Sequence, residues 1–491
     1  MGSNRQLTGG RMTGMDVTVV GSGPNGLSAA VICARAGLRV RVIESQPTVG
    51  GGARTTPDDE FPSVSHDVCS AIHPLALASP FFREFDLTAR GVQLNAPEIS
   101  YANPLPGQRS AALAYRDIGR TCAELSDGAS WRRLLGPMVD HADAAVGFVL
   151  GDKRSLPPNL VVAARLGLRM LAQGTPAWGS LRGDDAQALF TGVAAHTISK
   201  MPSLTAAGAG MMLATLAHTV GWPVPVGGSQ AITDALLTDF IAHGGELVLG
   251  ETVTGPPPGV VLYDTTAHAL LDIYGPAIPA GYAKALRGLH SGPGVAKVDF
   301  VLSGDIPWTD PRLAETATFH LGGTREQMAH AETEIAAGRL AQWPMVLAAS
   351  PHVGDPKRID TQGRRPFWSY AHVPSDSPAE QTEVVTSIVE RFAPGFRDIV
   401  LSAKCIPAAQ MSSHNANYIG GDISAGGNSA WRALAGPTLR LDPWSTPLPN
   451  AYLCSAAAPP NGGVHGMAGY YAARTMLRRE FGLGLPALGP P

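Results

Sequence analysis

The segment from Asp16 to Glu44 constrains this chain more than any other. Val17, Val19 and Val20 form a β-branched run that ends at Gly21, as a buried parallel strand does. Gly21-Ser22-Gly23-Pro24-Asn25-Gly26 follows. The alanine-rich stretch from Leu27 to Ala36, closed by Gly37, predicts a helix. Arg39 to Ile43 predicts a second strand, and Glu44 ends it. Gly21 permits the tight strand-to-helix turn, Gly23 lets the backbone approach a pyrophosphate, and Gly26 lets the helix pack close to the strand. The bare N–H groups at the helix start favour phosphates. Glu44, about twenty residues downstream, is placed for ribose hydroxyls and argues against a 2′-phosphate. A glycine motif alone is weak. Set between strand and helix, with an acid ending the next strand, it specifies a dinucleotide-binding α/β unit.

The 491 residues exceed one ordinary core, so two domains are expected. A net charge of −3 gives no electrostatic reason to bind nucleic acid. Cys33, Cys69, Cys122, Cys405 and Cys454 are scattered without a CxxC pair. They therefore read as buried thiols, with neither a disulfide framework nor a metal site. Met1 to Gly14 lacks an apolar core and is left outside the fold. The most apolar stretch, Leu204 to Ala217, is shorter than the roughly 20 residues a bilayer requires, and reads as a buried helix. Leu160 to Leu171 interleaves Arg165 and Arg169 with Leu and Val. An ordinary helix burying one face is the first reading, and a helix resting on a membrane surface is the second.

A second glycine cluster, Gly50-Gly51-Gly52-Ala53-Arg54-Thr55, follows Glu44 and Ser45 almost at once. It resembles the GG motif of flavoprotein oxidases and desaturases, which selects FAD over NAD. Arg54 is then a partner for the pyrophosphate or a cap on the flavin region. At the far end, Ala451 to Leu453 predicts a short strand. Gly462-Gly463-Val464-His465-Gly466-Met467 follows, and Tyr470 to Arg479 predicts a terminal helix. A glycine turn before a helix places N–H groups near a ligand. In the middle, a helix from Ala231 and a strand at Leu247 to Leu249 lead to Val253.

Together these pieces, with Gly420-Gly421-Asp422-Ile423, resemble the phytoene-desaturase-like FAD-dependent oxidoreductases. The similarity extends to the branch labelled NAD(P)/FAD-dependent or pyridine nucleotide-disulphide oxidoreductase-domain, and runs from about Asp16 to Leu477. It implies an α/β fold: a Rossmann-like, glutathione-reductase-like FAD-binding domain with a parallel sheet and β-meander, plus a discontinuous α+β substrate domain. The expected FAD-binding domain takes residues 15–76, 221–269 and 411–482. The substrate domain takes 77–220 and 270–410, with flexible termini at 1–14 and 483–491. One departure is the quick passage from Val253 through Gly255-Pro256-Pro257-Pro258 to Val260, which predicts a trimmed meander.

The residues expected on FAD are Gly21, Ser22, Gly23, Pro24, Asn25, Gly26, Glu44, Ser45, Gly51, Gly52, Ala53, Arg54, Val253, Gly463, Val464, His465, Gly466 and Met467. The chemistry implied is hydride exchange between flavin N5 and a small apolar or amphipathic substrate, as in desaturases, dehydrogenases or isomerases. His465 leads the candidates for proton transfer, followed by Tyr470 and His73. Two alternatives stand beside it: an amine oxidase using O2, and a flavin-binding protein working through a partner. O2, a quinone or NAD(P) remain open as electron acceptors, although no second strand–glycine–helix unit is present for NAD. The expected location is cytoplasmic, with peripheral contact at the inner face of a membrane as an option.

Overall fold

The computed structural model describes residues 15–426, 436–438 and 440–490. Its first layer is a five-stranded parallel sheet ordered Ala451–Leu453, Val260–Tyr263, Val17–Val20, Val40–Glu44, Glu246–Leu249. The central strands are apolar on both faces because helices cover both. Pro24–Arg35, Gln230–Ala242 and Met467–Met476 all belong to this core, together with Phe81, Phe85 and Trp444. Chain order and space order differ: strands from the two ends of the sequence lie in one sheet, and the Val17–Val20 strand pairs with Val260–Tyr263.

The second layer is a seven-stranded sheet, ordered Val400–Ile406, Gly294–Leu302, Arg365–Val373, Val346–Ala349, Thr318–His320, Ile99–Asn103, Ala112–Tyr115. All its pairs are antiparallel except Phe319 with Ala102. Helices between residues 118 and 217 form a separate apolar layer around Trp131, Phe190, Met211 and Trp222. The α/β architecture with a parallel-sheet domain and a second sheet domain is as expected.

Several boundaries differ. The first helix starts at Pro24 rather than Leu27, because proline at the first position has its φ preset and its missing N–H costs nothing there. The terminal helix starts at Met467 rather than Tyr470, since Gly466 adopts φ +68° and turns the chain into it. The link from Glu246–Leu249 to Val260–Tyr263 forms no β-meander: residues 250–259 contain no strand, in keeping with the short Pro-rich passage. The expected boundaries at 76/77 and 269/270 cut through the first core, which also takes in Phe81, Phe82, Phe85, Leu270, Ile273, Tyr282 and Leu286. The tail is not loose over its described part. Leu488 is buried, and Arg35 donates to the carbonyls of Ala487 and Gly489, both at 3.0 Å. The expectation for 1–14 lies outside the described residues.

Candidate functional site

Both glycine clusters are built against each other. The N–H of Gly50 donates to Ser22 O at 3.0 Å, and a Cβ on Gly51 would stand 3.0 Å from Gly23 Cα. Gly21 has φ +96°, and a Cβ on Gly26 would meet Gly21 O at 2.4 Å, so neither position tolerates a side chain. Glu44 is fixed at the end of its strand. Its Oε2 accepts from the N–H of Ser22 at 2.9 Å and the Ser22 hydroxyl at 2.6 Å, while Oε1 accepts from the N–H of Gln46 at 2.9 Å. Arg54 is buried, and its donors reach Gly51 O at 3.0 Å, Gln46 Oε1 and His414 O. Burial pushes its guanidinium below the ordinary value, opposed by Glu44 and Tyr418. These partners are neutral oxygens, so among the described residues the guanidinium meets no carboxylate at hydrogen-bond distance and is suited to an anion.

These groups open on one cavity of about 1040 Å³. Gly21, Ser22, Gly23, Pro24, Asn25, Glu44, Ser45, Gly51, Gly52, Ala53, Arg54, His73, Val253, Gly463 and Val464 all line it. The two ends of the chain therefore converge as expected. The terminal helix is drawn in so closely that a Cβ on Gly469 would stand 1.9 Å from Asn25 O.

Five expected residues do not line the cavity. Gly26 lies beneath the turn, where its N–H donates to Asp264 Oδ2 at 3.0 Å. Met467 is buried in the first core, and Gly466 abuts Phe81 and Ser28. Tyr470 packs edge-on to Phe81, with ring centroids 6.5 Å apart. His465, the leading expected proton carrier, is fully buried. Its Nδ1 accepts from the N–H of Met467 at 3.0 Å and its Nε2–H donates to Asn461 O at 3.0 Å. Both ring nitrogens are thus spent on holding the loop, and burial pushes its pKa down to about 4. His465 is a brace for the turn rather than a group facing a reactant. His73 does line the cavity. Its Nε2 is 2.7 Å from Ser229 Oγ, which donates to Ser70 O, so Nδ1 is left as a bare lone pair. Burial lowers its pKa to about 4.

Other lining groups have no local sequence signal. Asp264 follows the strand Val260–Tyr263 and sits inside the glycine turn. A Cβ on Gly23 would meet its Oδ2 at 2.6 Å. Burial raises its carboxyl to about 8, against the N–H of Gly26 and with help from Glu44. Trp222, Trp368, Tyr370 and Tyr418 add an aromatic wall, with Trp368 and Tyr370 edge-on at 5.1 Å. Behind Trp368 lies Lys297, fully buried and paired to Asp299. Burial holds its ammonium below the ordinary value, although Asp299 pulls upward. His196 also lines the cavity, with its Nε2 2.8 Å from Nε2 of the buried His320, whose Nδ1 has no partner. Burial pushes His196 down to about 3, so it is a neutral group at working pH. The carboxylates among the described lining residues, Glu44, Glu251, Asp264 and Asp272, all belong to the parallel-sheet side. The wall formed by the helical layer and the second sheet is carboxylate-free.

Comparison with known proteins agrees with this architecture. The NAD(P)-binding Rossmann-like domain family matches residues 19–85. The pyridine nucleotide-disulfide oxidoreductase domain-containing protein 2 of Rattus norvegicus is 24% identical, over 94% of this chain and 93% of its own length. An uncharacterised protein of Mycobacterium tuberculosis is 26% identical, over 94% of this chain and 97% of its own. Among solved structures, an oxidoreductase from Methanosarcina mazei matches with a TM-score of 0.57 at 16% identity, covering 95% of this chain and 100% of that one. A putrescine oxidase variant matches at 0.58 and 15%, covering 94% and 98%. Cyclohexylamine oxidase from Brevibacterium oxydans matches at 0.53 and 13%, covering 94% and 98%. These likenesses establish a shared fold. The disulfide in the relative's name has no counterpart here, since all five cysteines are free.

Proposed function

We propose that this chain is an FAD-dependent oxidoreductase that exchanges hydride with an apolar or amphipathic substrate. The observation that carries the reading is a single cavity with two unlike ends. One end is a cradle of bare amides with a buried Arg54 that hydrogen-bonds no carboxylate among the described residues. The other is a wall of aromatic and aliphatic side chains without a negative charge. The cradle fits a dinucleotide: Glu44 accepts from ribose hydroxyls, the amides around Gly23 meet the diphosphate, and Arg54 supplies its counter-charge. FAD, when bound, supplies the hydride donor or acceptor at N5. The chain's own part is orientation and exclusion of water. Trp222, Trp368 and Tyr370 hold the substrate end dry, and His196 offers a neutral hydrogen-bonding group to an oxygen on an otherwise apolar molecule. The absence of a carboxylate there disfavours ammonium substrates, which need a counter-ion when desolvated.

The amine oxidase reading keeps one specific support. Its expected aromatic flank is lacking in the C-terminal turn, but Trp368, Tyr370 and Tyr418 provide one from elsewhere. The same experiment separates the readings. Protein purified in full length is tested for stoichiometric FAD, then mixed anaerobically with panels of apolar donors and of amines. Bleaching by apolar donors alone is expected. Bleaching by amines, with peroxide on admitting air, would move the assignment to the oxidase. Bound FAD that no donor class reduces would favour a protein acting through a partner, and failure to bind FAD would end the proposal.

A further inference from the structure

The helix Leu160–Gln173 buries Val162, Leu166 and Gln173 and yet carries a second apolar stripe outward. Leu160 is 62% exposed, Leu168 66% and Leu171 51%, and Leu156 before the helix is 84% exposed. Single exposed leucines are ordinary, but four within one short segment make a patch that needs a partner. From Lys153 to Gly183 the sequence contains Lys153, Arg154, Arg165, Arg169 and Arg182 and no Asp or Glu. Two of these cations are engaged within the protein: Lys153 donates to Val149 O, and Arg154 pairs with Asp152 and Asp442. Arg165 is exposed on the helix itself. Arg169 donates only to the carbonyls of Leu134, Arg165 and Arg133. The apolar stripe is thus flanked by positive charge that no carboxylate neutralises among the described residues.

The patch also runs into the cavity. Met170 of the same helix lines it, and so does Leu204, which is itself 40% exposed. Gly208, on the Leu204–Ala217 helix, brings the two helices together: a Cβ there would stand 2.9 Å from Met170 Cε. A continuous apolar path therefore leads from the outer face of Leu160–Gln173 past Met170 and Leu204 to Met212 and the aromatic wall.

We infer that this face docks on a lipid bilayer carrying anionic headgroups, with the helix lying in the interface and the cavity opening toward the acyl region. Aliphatic side chains flanked by unneutralised arginines match such a surface, and continuity with the apolar, aromatic wall of the cavity gives the docking a use. No helix among the described residues is long and apolar enough to cross a membrane, so the contact is peripheral. The docking face stands apart from the FAD reading, because vesicle binding requires no turnover.

The test uses the full-length purified chain and co-sedimentation with two vesicle types: phosphatidylcholine with a minority of phosphatidylserine, and phosphatidylcholine alone. Binding to the mixed vesicles is expected, weaker at high salt and weaker on phosphatidylcholine alone. L168E/L171E is expected to bind about tenfold more weakly or worse, since both apolar anchors are replaced by charge. R165E is expected to weaken binding to the mixed vesicles selectively. Unchanged melting temperatures in these exposed-site variants confirm that they fold. Absence of binding to either vesicle, or L168E/L171E binding as wild type does, would overturn the inference. So would a wild-type dimer that L168E/L171E turns into a monomer, because a second copy would then cover the face.

Discussion

At the scale of single residues, Asp264 is the most consequential group that local patterns do not reveal. It lies 238 positions from Gly26, and only folding brings it into the turn. With burial raising its carboxyl to about 8 from 3.8, the folded chain keeps a proton that the unfolded chain gives up at ordinary carboxylate pH. The cofactor-free protein is therefore expected to lose stability as pH rises from about 4 to about 8, and D264N should flatten that slope in urea melts. Under the proposed reading, FAD affinity also falls above pH 8, as an ionised Asp264 repels the diphosphate, and D264N removes this dependence in fluorescence titrations. His465 gives the opposite lesson. The glycine-rich turn makes it look like a reactive group, but its two hydrogen bonds are internal. H465A should leave the pH profile of flavin reduction unchanged while costing about 1–3 kcal/mol of stability for the donor and acceptor left unpaired. A changed profile with an unchanged melt would restore His465 as a proton carrier.

At the scale of elements, legibility followed the range of the interactions. The strands Val17–Val20 and Ala451–Leu453 are short β-branched or apolar runs beside glycine turns, and each can be read from adjacent residues. The terminal helix starts three residues before the position the sequence predicts, because its start depends on Gly466 adopting positive φ against Phe81, a tertiary contact. Individual strands of the second sheet gave no comparable signal, since Thr318–His320 lies between Val346–Ala349 and Ile99–Asn103, partners far apart in sequence. Likewise His196, Trp222 and Trp368 reach the cavity from separate segments. The C-terminal tail differs from expectation for a related reason: its Pro- and Gly-rich composition looks loose, yet its carbonyls serve two largely buried arginine side chains. Arg35 and Arg90 both pair with the buried Asp239 while donating to Ala487, Leu488 and Gly489. Truncation before Pro486 is expected to lower the melting temperature, with about 1.5–3 kcal/mol coming from the loss of Leu488 burial alone. A truncated chain melting as the full one does would mean the tail contributes no net stability.

At the scale of the whole molecule, the cavity is the joint between the two sheets. Its walls come from the glycine turns of the parallel sheet and from Thr318, Leu347, Trp368 and Tyr370 of the antiparallel one. Arg358 adds a buried tie across the same region, donating to Asp67 Oδ2 at 2.9 Å, and the other oxygen of Asp67 accepts from the N–H of Ser229 at 2.9 Å. A ligand filling such a joint stabilises whatever must separate to release it. Under the proposed reading, FAD at a hundred times its dissociation constant would add about 2.7 kcal/mol to the folded state. If the two layers open together, that gain protects both. Hydrogen exchange is thus expected to slow on FAD loading in Val17–Val20 and, equally, in Arg365–Val373, although the latter strand contributes nothing to the phosphate cradle. Protection confined to the parallel sheet would mean that the second sheet opens on its own. The substrate end would then be a separately mobile wall, and the cavity two adjoining sites rather than one.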